Sequence, residues 1–89
     1  MSPLHEAARN NHLSVCQLIV ENVDDKNPKN EYGWTPLHYA AMSGHFSVCQ
    51  LIVENVKDKN PKDWLGRTPL DLAISRKHAS IQKLFEDAL

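Results

Sequence analysis

The segment His5-Glu6-Ala7-Ala8-Arg9 comes within one residue of the zinc-protease helix His-Glu-x-x-His. That chemistry needs two imidazoles four residues apart, so that both reach one metal from the same helix face. Arg9 stands where the second His would be, so no metal ligand is assigned. Two other histidine pairs, His5/His12 and His38/His45, are each seven apart and recur with the chain. Cys16 and Cys49 occupy apolar positions without a Cys-x-x-Cys pair, and they read as buried free thiols that behave as small hydrophobes. The three glycines are isolated and build no phosphate cradle. No catalytic residue, cofactor or metal is therefore assigned, and the chain reads as a non-enzyme.

The composition points the same way. Eighty-nine residues make one small domain, and a chain this short buries only about 60–65% of its unfolded surface. Hydrophobic residues at 42% and charged ones at 24% describe a globular chain and not a disordered one. A net charge of −1 argues against nucleic-acid or polybasic membrane partners, both of which need excess cations. Apolar runs such as Tyr39-Ala40-Ala41-Met42 are too short to span a bilayer. Two cysteines make no disulfide scaffold, and the expected setting is reducing, intracellular and cytoplasmic.

The elements that position these residues come in repeats. Ser2-Pro3-Leu4-His5 returns as Thr35-Pro36-Leu37-His38 and as Thr68-Pro69-Leu70-Asp71, at steps of 33. Residues 2–34 and 35–67 share 22 of 33 positions, including the unbroken run Ser14–Val23 repeated as Ser47–Val56. The third unit, 68–89, keeps seven of 22. The division is thus 1–34, 35–67 and 68–89 within a single domain, and each unit reads as two short helices and a loop. Thr35 suits an N-cap and Pro36 the first helical position, with Leu37, Ala40 and Ala41 on one apolar stripe. Gly44 ends that helix, and Asn11 takes the same place in unit one. The second helix is expected over 47–55, with Val48, Leu51 and Ile52 on one stripe and Cys49 and Val53 on another. Lys57, Lys59 and Lys62, interleaved with Asp58 and Asp63, read as a solvated loop, with room for a short hairpin arm.

Thr35-Pro36-Leu37-His38-Tyr39-Ala40-Ala41-Met42-Ser43-Gly44-His45, at a 33-residue spacing, resembles the ankyrin repeat family. The resemblance covers essentially the whole chain. It implies an all-α solenoid of stacked antiparallel helix pairs with projecting β-hairpin-like loops. It also implies imidazoles bonded to backbone around the interhelical turn. Neighbouring repeats about 10 Å apart then keep Cys16 and Cys49 beyond disulfide reach. Asn27 and Asn60 fall where members can be hydroxylated by an intracellular asparaginyl hydroxylase, although Lys26 and Lys59 precede them in place of the usual Val. Where the family commonly ends its second helix with Gly, this chain has Val23 and Val56, and Asn22 or Asn55 is expected to take the left-handed turn.

The function implied is recognition of a protein partner by hairpin tips and inner helices. The positions that vary in the family also include Glu6, Arg9, Asn10, Glu31 and Ser75, and those expected to bind the partner are Tyr32, Trp34, Tyr39, Met42, Ser43, Trp64, Leu65, Arg67, Leu72 and Arg76. Four of the six aromatics fall in this set, and only Phe46 and Phe85 remain for the core. Large amphipathic rings and Arg are what binding hot spots use. At the C-terminal end Gln82 and Glu86 replace Cys49 and Val53, the polar edge of a capping repeat. Unit one keeps Cys16 and Val20, so its edge is expected to be uncapped and open to self-association or to a neighbour. The alternative reading is a piece of a longer array, or a duplicated or designed consensus-like chain with a purely structural role.

Overall fold

The computed structural model describes residues 1–89, with six helices and no strand. They are α1 (Pro3–Arg9), α2 (Leu13–Asn22), α3 (Pro36–Ser43), α4 (Phe46–Asn55), α5 (Pro69–Ser75) and α6 (Ala79–Ala88). Helices α1, α3 and α5 pack in sequence as one layer, and α2, α4 and α6 as a second. Each pair is antiparallel and joined by a short turn, which is the stacked architecture expected from the period.

The first helix of every pair starts for the same reason. Ser2, Thr35 and Thr68 are extended N-caps whose side chains accept the backbone N–H of the residue three on, with Pro at the next position. The third helical residue completes the capping box. His5 and His38 accept the cap N–H through Nδ1, and Asp71 does so through a carboxylate oxygen. Asp71 thus keeps the capping role of the imidazole it replaces.

The turns close in a common way as well. Asn11 (φ 60°), Gly44 (φ 81°) and Lys77 (φ 61°) take the left-handed conformation. The N–H of the following His12, His45 or His78 bonds to Ala7, Ala40 or Ala73 at 2.9–3.0 Å. The second helices end differently from expectation. Asn22 and Asn55 stay helical and donate to the carbonyls of Leu18 and Leu51, while Val23 and Val56 are extended. Lys59 does the work of the missing glycine, donating to the carbonyls of Val53 at 2.9 Å and Val56 at 2.6 Å. Lys26 does the same at Val23. An ammonium at a helix C-terminus meets its free carbonyls and the negative end of its dipole.

The core runs through all three layers. Leu37, Ala40 and Ala41 are fully buried, as are Val48, Cys49 and Ile52 of the interior repeat. Phe85 closes the C-terminal end, with Gln82 and Glu86 turned to solvent or half-exposed. Two expectations are corrected. Phe46 is not core: it opens α4 and is 39% exposed. Cys16 and Val20 do not mark an open edge either, because both are buried, in a helix that packs against α1 and α4. The apolar residues left exposed on α2 are Val15 and Leu18, which belong to the other stripe.

Candidate protein-recognition groove

Each loop between repeats narrows to a tip held by one Asx side chain. Asn30 Oδ1 accepts the N–H groups of Tyr32 and Trp34 at 2.9 and 3.0 Å, and Asp63 Oδ1 accepts those of Leu65 and Arg67 at 2.9 and 2.8 Å. Asn30 N donates to Trp34 O, and Asp63 N to Arg67 O, both at 2.9 Å. The tips are therefore hairpin-like without a ladder.

Asp63 also ties the two tips together. Its Oδ2 accepts Trp34 Nε1 and Arg67 Nε, both at 2.8 Å. Only 5% of Asp63 is exposed. Burial by itself would raise the carboxyl pKa, but the donors from Arg67, Leu65 and Trp34 outweigh it and hold the value at about 2. Asp63 was expected among solvated loop charges and instead is the buried centre of the site.

The aromatic side chains are set by these bonds. Trp34 stacks on His38 with centroids 5.5 Å apart and meets Tyr39 edge-on at 4.8 Å. The Tyr39 hydroxyl accepts from Asn30 Nδ2 at 2.9 Å. Arg67 Cζ lies 5.6 Å from the Trp34 ring centroid, and Lys29 Nζ 5.1 Å from that of Trp64. Trp64 donates through Nε1 to Glu31 O at 2.9 Å and lies over Gly33. A Cβ on Gly33 would meet the Trp64 ring at 2.6 Å, at a φ of 76° that already favours glycine.

The result is a groove of about 560 Å³ lined by Tyr32, Trp34, Tyr39, Met42, Trp64, Leu65 and Arg67. Leu65 is 78% exposed at its rim. Seven of the ten residues expected to bind a partner thus meet in one depression. Leu72 is buried and offers no surface, Ser43 is half-buried at the end of α3, and Arg76 is exposed at the end of α5 outside the lining. Asn30, Gly33 and Asp63, which set the geometry, were not among the expected residues. The signal was present as an Asx three residues before Gly in both loops.

The imidazoles link successive repeats. His5 Nε2 donates to Trp34 O at 2.7 Å and His38 Nε2 to Arg67 O at 2.9 Å, the tautomer following from the N–H that each Nδ1 accepts. Burial lowers both pKa values, so the rings are structural and neutral. Cys16 and Cys49 are free, and burial raises both thiols, Cys49 to about 12. Asn27 and Asn60 are half-buried, and each backbone N–H is accepted by an Asp two residues earlier. Asn27 Oδ1 accepts Leu37 N at 3.4 Å, while Asn60 Oδ1 is buried without a partner. No group of three His, Cys, Asp or Glu side chains converges as a metal site, and no helix is long and apolar enough to cross a membrane.

With stacked helix pairs, capped turns and projecting tips in view, comparison with known families gives the class. A family model described as ankyrin repeats, in three copies, matches residues 4–88. The chain belongs to the ankyrin repeat family, whose members are generally non-enzymatic protein–protein interaction modules. A search among curated proteins returned no match.

Proposed function

We propose that this chain is a non-enzymatic module that binds a protein partner through the groove between its hairpin tips and inner helices. The carrying observation is the aromatic depression itself, in which Trp34, Tyr39 and Arg67 are pre-set by Asn30 and Asp63 before any partner arrives. Pre-ordered aromatic side chains lose little entropy on binding and supply most of the affinity of small interfaces.

The lining also suggests the partner's chemistry. Six of the seven residues are apolar or aromatic, and the charged one is Arg67. Its Nε is taken by Asp63, yet nearly half of the side chain stays exposed. Lys29 adds a second cation beside Trp64. A partner segment with a large apolar side chain next to a carboxylate fits these features, whereas a cationic segment would meet Arg67 at close range. The two free, buried thiols support a reducing, cytoplasmic setting. Asn27 and Asn60 are proposed as hydroxylation positions on the resemblance alone.

The experiment is differential capture from lysate with the intact chain and with a Trp64→Ala/Leu65→Ala variant. Proteins held by the intact chain and lost with the folded variant support the reading, and identical sets contradict it.

A further inference from the structure

Trp64 lines the groove, yet it stands on a hairpin tip and is 64% exposed. A large ring so open has several rotamers within reach, and fixing one of them at the moment of binding costs affinity. Trp34 escapes that cost, because its indole is bonded to Asp63 while its ring stacks on His38 and meets Tyr39 edge-on. Trp64 is held instead by groups of the preceding tip. Its backbone N donates to Tyr32 O at 3.4 Å, its Nε1 donates to Glu31 O at 2.9 Å, and its ring lies over Gly33.

Lys29 completes this set. Its Nζ donates to Lys62 O at 2.9 Å and lies 5.1 Å from the centroid of the Trp64 ring. One ammonium thus meets both the ring and the backbone just ahead of it, and ties the second tip to the first through a single group. The ring quadrupole attracts the cation, and the bond to the carbonyl fixes where that cation sits. Lys29 itself is not part of the groove lining.

We propose that Lys29 is a positioning residue of the recognition groove, holding the Trp64 ring in the orientation that the partner meets. The proposal rests on the groove being the recognition site. Its ammonium is engaged by Lys62 O and the ring, which leaves Arg67 as the charged lining residue for a partner carboxylate. Lys29 therefore acts on affinity through Trp64 and not through a contact of its own.

The test uses an acidic peptide selected on the intact chain from a displayed random library, and the same peptide with its Asp or Glu changed to Asn or Gln. Lys29→Met keeps an aliphatic stem and removes the charge. It is expected to weaken both peptides by the same factor, about 3–10-fold, while Lys29→Arg stays within about 2-fold of the intact chain. In a Trp64→Ala chain, Lys29→Met is expected to change affinity by less than about 2-fold, because the ring through which it acts is gone. A second readout needs no peptide. The Gly33 α-proton resonances, displaced by the ring current of Trp64, are expected to move in Lys29→Met toward their positions in Trp64→Ala. Tm is expected to shift by less than about 3 °C. Unmoved Gly33 resonances in Lys29→Met overturn the proposal. So does a loss confined to the acidic peptide, which would make Lys29 a direct contact, and so does an equal loss with and without Trp64. Peptides that bind the folded Trp64→Ala/Leu65→Ala variant as well as the intact chain overturn the groove reading instead, and the Gly33 resonances still decide whether Lys29 holds the ring.

Discussion

The indole of Trp34 donates to Asp63 in the next hairpin tip, at 2.8 Å, and Arg67 Nε donates to the same carboxylate oxygen at 2.8 Å. Asp63 is thus the hinge pin between two hairpin tips. Replacing it by Ala removes the acceptor of two backbone N–H groups, one indole N–H and one guanidinium N–H. Loss of about 2–4 kcal/mol is expected by urea unfolding, together with a change in Trp34 fluorescence in the folded state. Asp63→Asn keeps the Oδ1 contacts but turns an NH₂ toward two donors, and about half that loss is expected.

The pH dependence has two parts. Burial lowers His5 and His38 below the usual 6.5, so the unfolded chain takes up protons first as pH falls. Stability from this source is complete above about pH 6.5 and declines below it, by at most about 1.4 kcal/mol per pH unit for each ring. The urea midpoint at pH 5.5 is therefore expected to lie below that at pH 7.5. His38→Gln keeps a capping-box side chain but loses the bond to Arg67 O, costing about 1 kcal/mol and flattening this slope. Asp63 acts at lower pH. Its contribution is present above about pH 4 and lost as pH falls through about 2.

The two tip glycines separate strain from crowding. Gly33 and Gly66 share nearly the same left-handed backbone, but a Cβ on Gly66 meets nothing within 4 Å. Gly66→Ala is expected to cost about 1 kcal/mol from backbone strain alone. Gly33→Ala must also push Trp64 aside, and a cost about 1–2 kcal/mol larger is expected by chemical denaturation.

The thiols report on the stack. Cys49 lies in the interior repeat with its pKa pushed up to about 12, and Cys16 is also buried and raised. Both are expected to resist a thiol-specific colorimetric reagent at pH 8 until the chain unfolds, with full reaction in denaturant. Rapid labelling of Cys16 in the native protein would mean that α2 does not stay packed against α4.

Much of this was legible because the repeat states each rule three times. Thr35-Pro36-Leu37-His38 specifies a cap and a first turn, and the left-handed place of Asn11 follows from Gly44 one repeat on. The groove was legible because aromatic residues gathered at tip and inner-helix positions that the resemblance marks as variable. Asp63 was not, since a carboxylate among lysines reads as solvated until the chain folds and four donors converge on it. The two stripes of α2 could not be ranked either, because their sequence is the same as that of α4 and only position in the stack decides which is covered. Phe46 misled by type: it opens α4 directly after the turn from α3, and its ring stays 39% exposed there.

Trp64 and Leu65 line the groove and are both exposed, so their loss tests recognition through it. The measurement is selection of a displayed random-peptide library on the intact chain, followed by affinities for the intact chain and for Trp64→Ala/Leu65→Ala. Enriched sequences are expected to pair a large apolar residue with Asp or Glu, and their affinity to fall at least about 30-fold, roughly 2 kcal/mol, in the variant. The variant is expected to lose no more than about 1–2 kcal/mol of stability, mainly from the Trp64 bond to Glu31. Enriched peptides that bind the folded variant as well as the intact chain would contradict recognition through this groove.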